Sequence, residues 1–537
     1  MTPRTRLELL NPALGDDCAP YKSYWIHEVE LTTSRRLHKT KACQTDSYRA
    51  PASTCNFLSV PSLDVDYEPI MINERKPVIG VKYTPLSMDV DHQELDIHNL
   101  PGIKYIRIQW VDLTNAICYR VIPISYFIKI LQSPRPSISI TRSILGLVHL
   151  TLVEGFSPIG EYLYVPDITT LKLCGYAPGY ATLMGYFEEK SPKQNVPRSL
   201  EYKVDLCPRT ILNRIVEDAR VSLGLDFLVG FETEFILLSS VSPVKAVNEV
   251  SYGRASGMRT GSPEYLALEE MLDALHLSGI EVQALHKEGA PGQYEIVTAP
   301  LRPLQAIDAL IHTRETIYNI ANKHGLYATL APRVYGNSCG SSSHAHISVH
   351  AQGESPVSSV SPNLTDVEAS FLASVLDHLP ALIALTLPIP ESFKRMADGV
   401  WSGGTYVCWG TDNREAPLRL SNATSPSTRN FEYRALDGTA NPYIAIAGII
   451  GAGVEGVRDQ VELKIKDNSG DIPAANMDDR ERGALGITKR LPLSWDEARE
   501  NLEQDELMGE LLGRNFVTKY LNVNKESLSR TSLRWRT

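Results

Sequence analysis

The chain has 537 residues, of which 43% are hydrophobic and 22% are charged, and its formal net charge is −10. The length predicts several domains at roughly 150 residues each, and the negative charge argues against general nucleic-acid binding. The eight cysteines form no Cys-x-x-Cys pair, so neither a zinc knuckle nor a thioredoxin-type site is expected. No signal-type segment opens the chain, and the longest apolar run, 444–454, is too short to span a bilayer. We expect a cytoplasmic protein with free thiols and neither nucleic acid nor membrane as a partner.

Two regions make up the first third of the chain. Residues 1–97 mix Pro, Ser and charged residues without sustained periodicity, which is typical of a disordered or loosely attached N-terminal extension. Residues 98–195 predict a small α+β domain, because alternating apolar residues mark strands around a short helix. The strands are expected at 106–110, 117–122, 161–167 and 181–187, and the helix at 125–131 with Ser125 as its N-cap.

Residues 205–537 predict a larger α/β domain. A hairpin is expected around the turn Gly289–Gly292, and the apolar segment after Pro442 predicts a buried helix. Further helices are expected at 210–223, 263–279 and 304–324, strands at 227–238, 280–287, 293–298, 343–350, 405–420 and 431–436, and a loop at 239–262.

The predicted strand at 227–238 contains two acids, Glu232 and Glu234. Side chains alternate across a strand, so both carboxylates point to one face, while Phe227 and Phe231 occupy the other. Two neighbouring acids on an otherwise apolar strand are costly unless a cation lies between them. We therefore expect these glutamates to have a cationic partner.

Three further segments present polar side chains from predicted strands. Two glutamates flank the turn of the hairpin, and two other pairs are spaced two residues apart on one face. These residues are Glu288 and Glu295, His344 and His346, and Glu432 and Arg434. Each pair alone is more typical of a solvent-facing strand than of a functional site.

A site that united these residues would need metal ions. Two carboxylates about 4 Å apart repel by roughly 4 kcal/mol at an effective dielectric near 20. The glutamates that could converge only around cations are Glu232, Glu234, Glu288, Glu295 and Glu432. Oxygen ligands with one or two imidazoles and no thiolate favour Mg²⁺ or Mn²⁺ over Zn²⁺, and five carboxylates suggest two or more ions. The spacing alone does not establish that the residues converge.

The order of these motifs resembles that of the glutamine synthetase family, over about residues 103–458. The chain has counterparts of the family's Glu-x-Glu-Phe strand, Pro-Gly-Gln-x-Glu hairpin, His-x-His-x-Ser element, Ser-Tyr-x-Arg segment, arginine-bearing strand and Glu-x-Arg…Ala-Asn-Pro-Tyr signature. These counterparts are Phe231–Phe235, His286–Ile296, Ser343–Ser348, Ser392–Arg395, Trp409–Leu420, Phe431–Arg434 and Ala440–Tyr443.

The resemblance implies an α+β fold, with a small β-grasp N-terminal domain at 98–195 and a large glutamine-synthetase-type catalytic α/β domain at 205–537. It also implies two divalent-ion sites. One ion would be held by Glu234, Glu288 and Glu295, and the other, beside the ATP phosphates, by Glu232, His344 and Glu432.

The resemblance assigns the remaining site residues to substrates. ATP would be a co-substrate, with His346 and Ser348 along the nucleotide and Gly340 close to the amino-acid substrate. Arginines would bind the anionic groups, because their planar fork holds two oxygens at once. Arg395 would clamp the substrate carboxylate, and Arg414, Arg419 and Arg434 would stabilise phosphoryl oxygens of the nucleotide during transfer.

The implied reaction is ATP-dependent amide formation, as in nitrogen metabolism and glutamine biosynthesis. A carboxylate of glutamate or a similar substrate attacks the γ-phosphate of ATP, and an amine then displaces phosphate from the acyl phosphate. Active sites of this family lie between subunits, so a homo-oligomer is expected.

The chain departs from the family where ammonium would bind. Trp401 stands where ammonia-using members carry a flap glutamate, and residues 132–150 contain no Asp-Gly-Ser-Ser latch. The segment Cys408–Arg414 resembles branches that join glutamate to other amines, and also the glutamine-synthetase-like domain of fungal development-linked proteins. We therefore expect an amine other than ammonia as the better acceptor.

Two other functions stay open at the level of the sequence. A non-catalytic scaffold or developmental signalling protein could keep the fold, although clustered carboxylates without ions would lower its stability. Phosphotransfer to a guanidino group on the related catalytic fold would yield a phosphorylated product without an amide.

Overall fold

A computed structural model describes residues 79–88, 102–353, 355–400 and 402–534. These described residues belong to one compact unit. The predicted extension at 1–97 lies outside the described residues except for 79–88, which includes the short 3-10 helix Pro85–Met88. Trp401 also lies outside the described residues.

The described chain contains the following strands and helices. The strands are β1 (Tyr105–Val111), β2 (Ile117–Pro123), β3 (Ile138–Thr141), β4 (Leu147–Val148), β5 (Thr151–Leu152), β6 (Glu161–Pro166), β7 (Lys172–Leu173), β8 (Tyr180–Leu183), β9 (Gly185–Glu189), β10 (Leu225–Val241), β11 (Val244–Ala246), β12 (Val282–Lys287), β13 (Gln293–Thr298), β14 (Tyr327–Thr329), β15 (Ala345–Ala351), β16 (Trp409–Thr411), β17 (Leu418–Ser421) and β18 (Asn430–Tyr433). The helices are α1 (Ile124–Leu131), α2 (Pro208–Leu223), α3 (Pro263–Leu277), α4 (Pro303–Lys323), α5 (Asp366–Asp377), α6 (Leu379–Thr386), α7 (Pro442–Arg458), α8 (Asp479–Ala484), α9 (Trp495–Gln504), α10 (Glu506–Leu512) and α11 (Arg514–Arg534).

The region before α2 forms small sheets, of which the largest has the order β2-β1-β8-β7. Strands β1 and β2 pair as the predicted hairpin, and β1 runs parallel to β8. The predicted strand at 181–187 is wrong as a single element, because the chain leaves this sheet after Leu183. It resumes at Gly185 as β9, which pairs with β6 in another sheet. The assignment of a β-grasp domain stays a prediction.

The predicted cap of α1 is also wrong. The helix begins at Ile124, and its N-cap is Pro123, which makes no side-chain capping hydrogen bond. The backbone N–H of Ile124 donates instead to the carbonyl of Lys104, at 2.9 Å. Ser125 therefore lies inside the first turn of the helix, and a tertiary contact satisfies the first of the free N–H groups.

The region from α2 onward, which is predicted to be the catalytic region, is built on a nine-stranded sheet with the order β12-β13-β10-β15-β18-β17-β16, to which β11 and β14 add beside β10. Strand β10 has a different neighbour at each edge: residues 225–231 pair with β15 on one edge, and residues 232–236 pair with β13 on the other. At Glu232 and Glu234 the edge opposite β13 is still bonded by the segment that leads into β15, since their N–H groups donate to the carbonyls of His344 at 3.0 Å and Ser342 at 3.2 Å. Strand β15 begins at Ala345, so His344 immediately precedes it. The predicted loop at 239–262 is wrong over its first part, which contains the end of β10 and all of β11.

Helix α7 confirms the predicted buried helix after Pro442, since nearly all of its side chains are buried. It packs closely on α5 through Gly456, where an added Cβ would lie 2.4 Å from the carbonyl oxygen of Ser370. Within the described part of the chain, no single helix has the length and apolar character needed to cross a membrane. The bent pair of α5 and α6 meets that test together by length and composition, and most of its side chains are buried.

Candidate active site

Glu232 lies between two histidines from the neighbouring strand segment. Its Oε2 is 2.9 Å from Nδ1 of His344, and its Oε1 is 3.1 Å from Nε2 of His346. Glu432 reaches the same place from β18, with Oε1 at 3.4 Å from Nδ1 of His344. The strand order β10-β15-β18 therefore brings together three of the polar pairs predicted from the sequence.

Glu232, His344 and Glu432 could hold a divalent ion. One ligand atom from each of them lies within 4.8 Å of the others. Burial, aided by the charge of Arg434, lowers the pKa of His344 to about 4, so this imidazole is neutral near pH 7, which is the form that binds metals. Two carboxylates and one imidazole suit Mg²⁺ or Mn²⁺. The donor set therefore fits the ion that the resemblance implies at these three residues.

Two arginines neutralise Glu432, which has no solvent-exposed surface. Nε of Arg419 lies 2.5 Å from its Oε2, and Nη1 of Arg434 contacts its Oε1. Burial alone would raise the pKa of Glu432, but the charge of Arg434 and the two histidines outweigh burial and lower it. The carboxylate is therefore ionised and is positioned by both cations.

A second group of candidate ligands lies at the turn end of the β12–β13 hairpin. Nδ1 of His286 is 3.3 Å from Oε1 of Glu288, and Nε2 is 3.0 Å from Oε1 of Glu295. One ligand atom from each lies within 4.8 Å of the others. Burial raises the pKa of Glu295 to about 8 and that of Glu288 to about 6. Burial and the neighbouring carboxylates both disfavour a negative charge on these two acids.

His286 was missed as a candidate ligand by sequence reasoning. The signal was present, because His286 precedes Glu288 by two positions and therefore projects to the same face of its strand. It is also the register partner of Glu295 across the hairpin. The sequence prediction considered only the acids of this hairpin.

Glu234 was expected to join Glu288 and Glu295, and the structure gives its carboxylate other contacts. It accepts hydrogen bonds from the backbone N–H of Ser342 at 3.0 Å, from the hydroxyl of Ser342, and from Nε2 of Gln293 at 2.9 Å. Its backbone is in register with Glu295 on β13. Burial raises the pKa of Glu234, in spite of these hydrogen bonds. Whether it binds an ion with Glu288 and Glu295 stays a prediction.

Arg395 and Gly340 lie against each other. Arg395 ends the 3-10 helix Pro390–Arg395, is buried, and points Nη1 at the carbonyl of Leu436, 3.5 Å away. A Cβ at Gly340 would lie 2.6 Å from both Cγ of Arg395 and the carbonyl oxygen of Pro332. Glycine is therefore needed at 340 for the arginine to take this position.

His346 and Ser348 make different contacts. Nδ1 of His346 is 2.8 Å from Oδ1 of Asn430, a partner that sequence reasoning did not identify. The amide of Asn430 also donates to the carbonyl of Thr428 at 3.1 Å, which fixes its oxygen toward the imidazole. The hydroxyl of Ser348 instead lies 2.8 Å from Nε2 of His350.

Arg414 is exposed on the turn between β16 and β17. Arg419 is largely buried, with 12% of its side chain exposed, and its pKa is lowered by burial and, to a smaller extent, by the charge of Arg414. Of these two arginines, Arg419 contacts the carboxylate of Glu432, while Arg414 faces solvent.

Comparison with known proteins identifies the family. A model described as "Glutamine synthetase, catalytic domain" matches residues 205–536. The chain belongs to the glutamine synthetase family. Its catalytic domain is therefore of glutamine synthetase type, as the motif order predicted.

Several relatives in this family are similar over much of the chain. Protein fluG of Emericella nidulans is 36% identical over 82% of this chain and 48% of its own length, so the chain spans about half of that relative. Gamma-glutamylpolyamine synthetase GlnA3 of Streptomyces coelicolor is 31% identical over 66% of this chain and 75% of its own length. Type-1 glutamine synthetase 1 of Dictyostelium discoideum is 27% identical over 79% of this chain and 85% of its own length.

Solved structures share the fold. One titled "GmaS/ADP complex-Conformation 1" superposes with a TM-score of 0.67 at 21% identity, over 80% of this chain and 94% of that one. Another, titled "Crystal structure of novel glutamine synthase homolog", has a TM-score of 0.65 at 24% identity, over 80% of this chain and 96% of that one. At these identities the likeness supports the glutamine-synthetase-like fold.

Proposed function

We propose that the protein is an ATP-dependent carboxylate–amine ligase that activates glutamate or a similar carboxylate as an acyl phosphate and joins it to an amine other than ammonia. The observation that carries this proposal is the convergence of Glu232, His344 and Glu432 beside Arg419 and Arg434. A metal-ligand set joined directly to buried arginines suits phosphoryl transfer, where cations stabilise charge that spreads over phosphate oxygens.

The residues of the site are proposed to form two groups, those that hold metal ions and those that bind the substrates. Glu232, His344 and Glu432 would hold one Mg²⁺ or Mn²⁺ beside the nucleotide, and the hairpin carboxylates Glu288 and Glu295, with Glu234, would hold a second. These ions supply charge neutralisation for the phosphates when bound. Arg395 would bind the substrate carboxylate, His346 and Ser348 would line the nucleotide, and Arg414, Arg419 and Arg434 would bind phosphoryl oxygens.

The amine is proposed from the departures in the sequence. An indole at Trp401 in place of a flap acid removes a negative group that would attract and deprotonate ammonium. A larger or less charged acceptor suits that position better. The similarity to a relative named gamma-glutamylpolyamine synthetase also supports an organic amine as the acceptor.

The proposal also covers the domains, the oligomeric state and the cellular location of the protein. We propose a β-grasp domain at 98–195, a catalytic domain at 205–537 and a cytoplasmic homo-oligomer whose active sites lie between subunits. The exposed apolar side chains Tyr119 and Val121 of β2 and Tyr126 of α1 are compatible with a subunit interface.

An amine panel tests the function. The full chain is incubated with ATP, Mg²⁺ and glutamate, and with ammonia, methylamine, ethanolamine, putrescine or spermidine. Phosphate release and the mass of the amide product are measured. We expect at least one organic amine to exceed ammonia in kcat/KM. A matched pair of variants, Glu232→Gln and the exposed Glu462→Gln, separates the site from general charge effects, since only the first is expected to lose activity.

Three outcomes would count against the proposal. Ammonia as the best acceptor would contradict the amine assignment. A phosphorylated product without an amide would favour guanidino phosphotransfer. No binding of Mn²⁺ and ATP in a calorimetric titration would favour a non-catalytic scaffold.

A further inference from the structure

Lys287 is a lysine with almost no access to solvent. It ends β12, beside the hairpin turn, and is 1% exposed. Lysine is rarely buried to this extent, because an ammonium that leaves water loses its hydration. The proposed function uses Glu288 and Glu295 of this hairpin but not Lys287.

The ammonium of Lys287 binds the backbone of the turn. Nζ donates to the carbonyl oxygen of Glu288 at 2.6 Å and to that of Ala290 at 2.7 Å. Both carbonyls belong to the short turn that joins β12 to β13 and carries the Glu288 carboxylate. A point charge with several donors can hold two carbonyls that converge on it, which an apolar side chain cannot do.

The rest of the side chain is fixed by packing. Lys287 is the register partner of Tyr294, and its Nζ lies 5.7 Å from the centre of that ring. Gly257 lies against the stem, so that a Cβ there would be 3.2 Å from Cγ and Cδ of Lys287. The hydroxyl of Tyr294 donates to the carbonyl of Gly257 at 2.8 Å, so the two residues that pack on Lys287 are also bonded to each other.

The turn that Lys287 binds is linked to two candidate metal ligands, Glu288 and Glu234. Glu288 is in the turn itself. The backbone N–H of Ala290 donates to Oε1 of Gln293 at 2.7 Å, and Nε2 of Gln293 donates to Glu234 at 2.9 Å. Movement of the turn would therefore displace Glu288 directly and Glu234 through Gln293.

Lys287 itself lies on the other side of the strand from the candidate ligands. Successive side chains of a strand alternate, so Lys287 points away from the face that carries His286. The contacts by which Lys287 can position the ligands are therefore those to the backbone of the turn.

We propose that Lys287 is a positioning residue for the hairpin metal site: its ammonium clamps the carbonyls of Glu288 and Ala290, and the clamped turn aims the Glu288 and Glu234 carboxylates at one ion. This inference rests on the proposed function, which places a divalent ion at the hairpin. The competing explanation is a lysine that only stabilises the hairpin and has no influence on ion affinity.

The test measures ion affinity without turnover. The full-length wild type and three variants are titrated with Mn²⁺ alone, and free Mn²⁺ is followed by electron paramagnetic resonance. Lys287→Met keeps the stem but removes the charge and donors, Lys287→Arg keeps both, and the exposed Lys464→Met is the matched control. We expect Lys287→Met to weaken the hairpin-site Mn²⁺ affinity at least tenfold, with Lys287→Arg and Lys464→Met within threefold of wild type. Thermal melting without metal is recorded for each protein.

The outcomes separate the two explanations. If Lys287→Met melts at a lower temperature but binds Mn²⁺ as wild type does, the lysine is structural and the inference is overturned. If Lys287→Met does not fold, Lys287→Gln takes its place and must weaken the affinity at least threefold, and wild-type affinity in that variant overturns the inference. A wild type that binds Mn²⁺ but forms no amide overturns the proposed ligase and leaves the role of Lys287 standing. A wild type without Mn²⁺ binding overturns both.

Discussion

At the scale of single residues, the charge of the site is organised around Glu432. This carboxylate has no exposed surface and contacts Arg419, Arg434 and His344. Two buried guanidinium groups would repel each other without an anion between them. Glu432 therefore has a structural role in addition to its proposed role as a metal ligand.

Replacing Glu432 should lower stability even when no metal is present. Glu432→Gln keeps the side-chain size but leaves two arginines without their shared carboxylate. Breaking a buried ion pair in this way costs about 3–5 kcal/mol. We expect a loss of that order in the free energy of unfolding, measured by guanidinium chloride denaturation in the presence of a chelator.

Glu462→Gln is the control for this measurement, since Glu462 is exposed. We expect the control to change the free energy of unfolding by less than about 0.5 kcal/mol. A Glu432→Gln protein as stable as this control would mean that the arginines are neutralised by other groups, and the account of the site would have to change.

At the scale of elements, the predictions from the sequence were most accurate where one segment contains its own signal. The β12–β13 hairpin and α7 were identified by a turn and by an apolar run, and both are confirmed. The strand at 181–187 was wrong because its change of sheet after Leu183 depends on pairing with β1 and β6, which are distant in sequence. Local patterns do not contain that information.

The same difference between local signals and long-range contacts explains which parts of the candidate site were predicted. The alternation around Glu232 predicted the direction of its side chain, and the two histidines that it meets were recognised as a pair. The placement of β13 and β15 at opposite edges of β10, which brings β13 beside Glu234, was not predictable from alternation. Asn430 was also missed, because its role depends on contact with His346 across two strands.

Helix α5 connects to the site through its N-terminus. The hydroxyl of Thr365 accepts from the backbone N–H of Glu368 at 3.2 Å, and Glu368 Oε2 accepts from the backbone N–H of Thr365 at 2.7 Å, which is a capping box. Glu368 also binds Arg429, with Nε at 2.9 Å from Oε1. Arg429 immediately precedes Asn430, so the helix start supports the strand that orients His346.

Two substitutions at this helix start should differ in cost. Thr365→Ala removes only part of the cap and should lower the free energy of unfolding by about 1 kcal/mol. Glu368→Ala also leaves Arg429 buried without its carboxylate, and should cost about 3–5 kcal/mol. Denaturation curves of both variants, with the exposed Thr260→Ala as control, give the comparison. Equal losses in the two variants would show that the ion pair adds nothing to the cap.

At the scale of the whole molecule, a buried polar cluster joins the small sheets to the catalytic region. Arg209 of α2 lies 3.3 Å from Asp167, which follows β6, and 2.8 Å from Asp308 of α4. The hydroxyl of Tyr443, in α7, contacts the other oxygen of Asp308. The ring of Tyr186 in β9 completes the cluster, 4.6 Å from the guanidinium carbon.

This cluster predicts that the two regions unfold together and that Arg209 stabilises both. Arg209→Met fills a similar volume but leaves Asp308, which is almost fully buried, without its main cation. We expect the free energy of unfolding to fall by about 3–5 kcal/mol, while the transitions followed by circular dichroism and by tryptophan fluorescence shift by the same amount. The exposed Arg259→Met serves as the matched control and should leave both transitions in place. Two separate transitions in Arg209→Met, with the later one at the wild-type midpoint, would instead mean that the small sheets are an independent folding unit and that the catalytic region does not depend on the arginine.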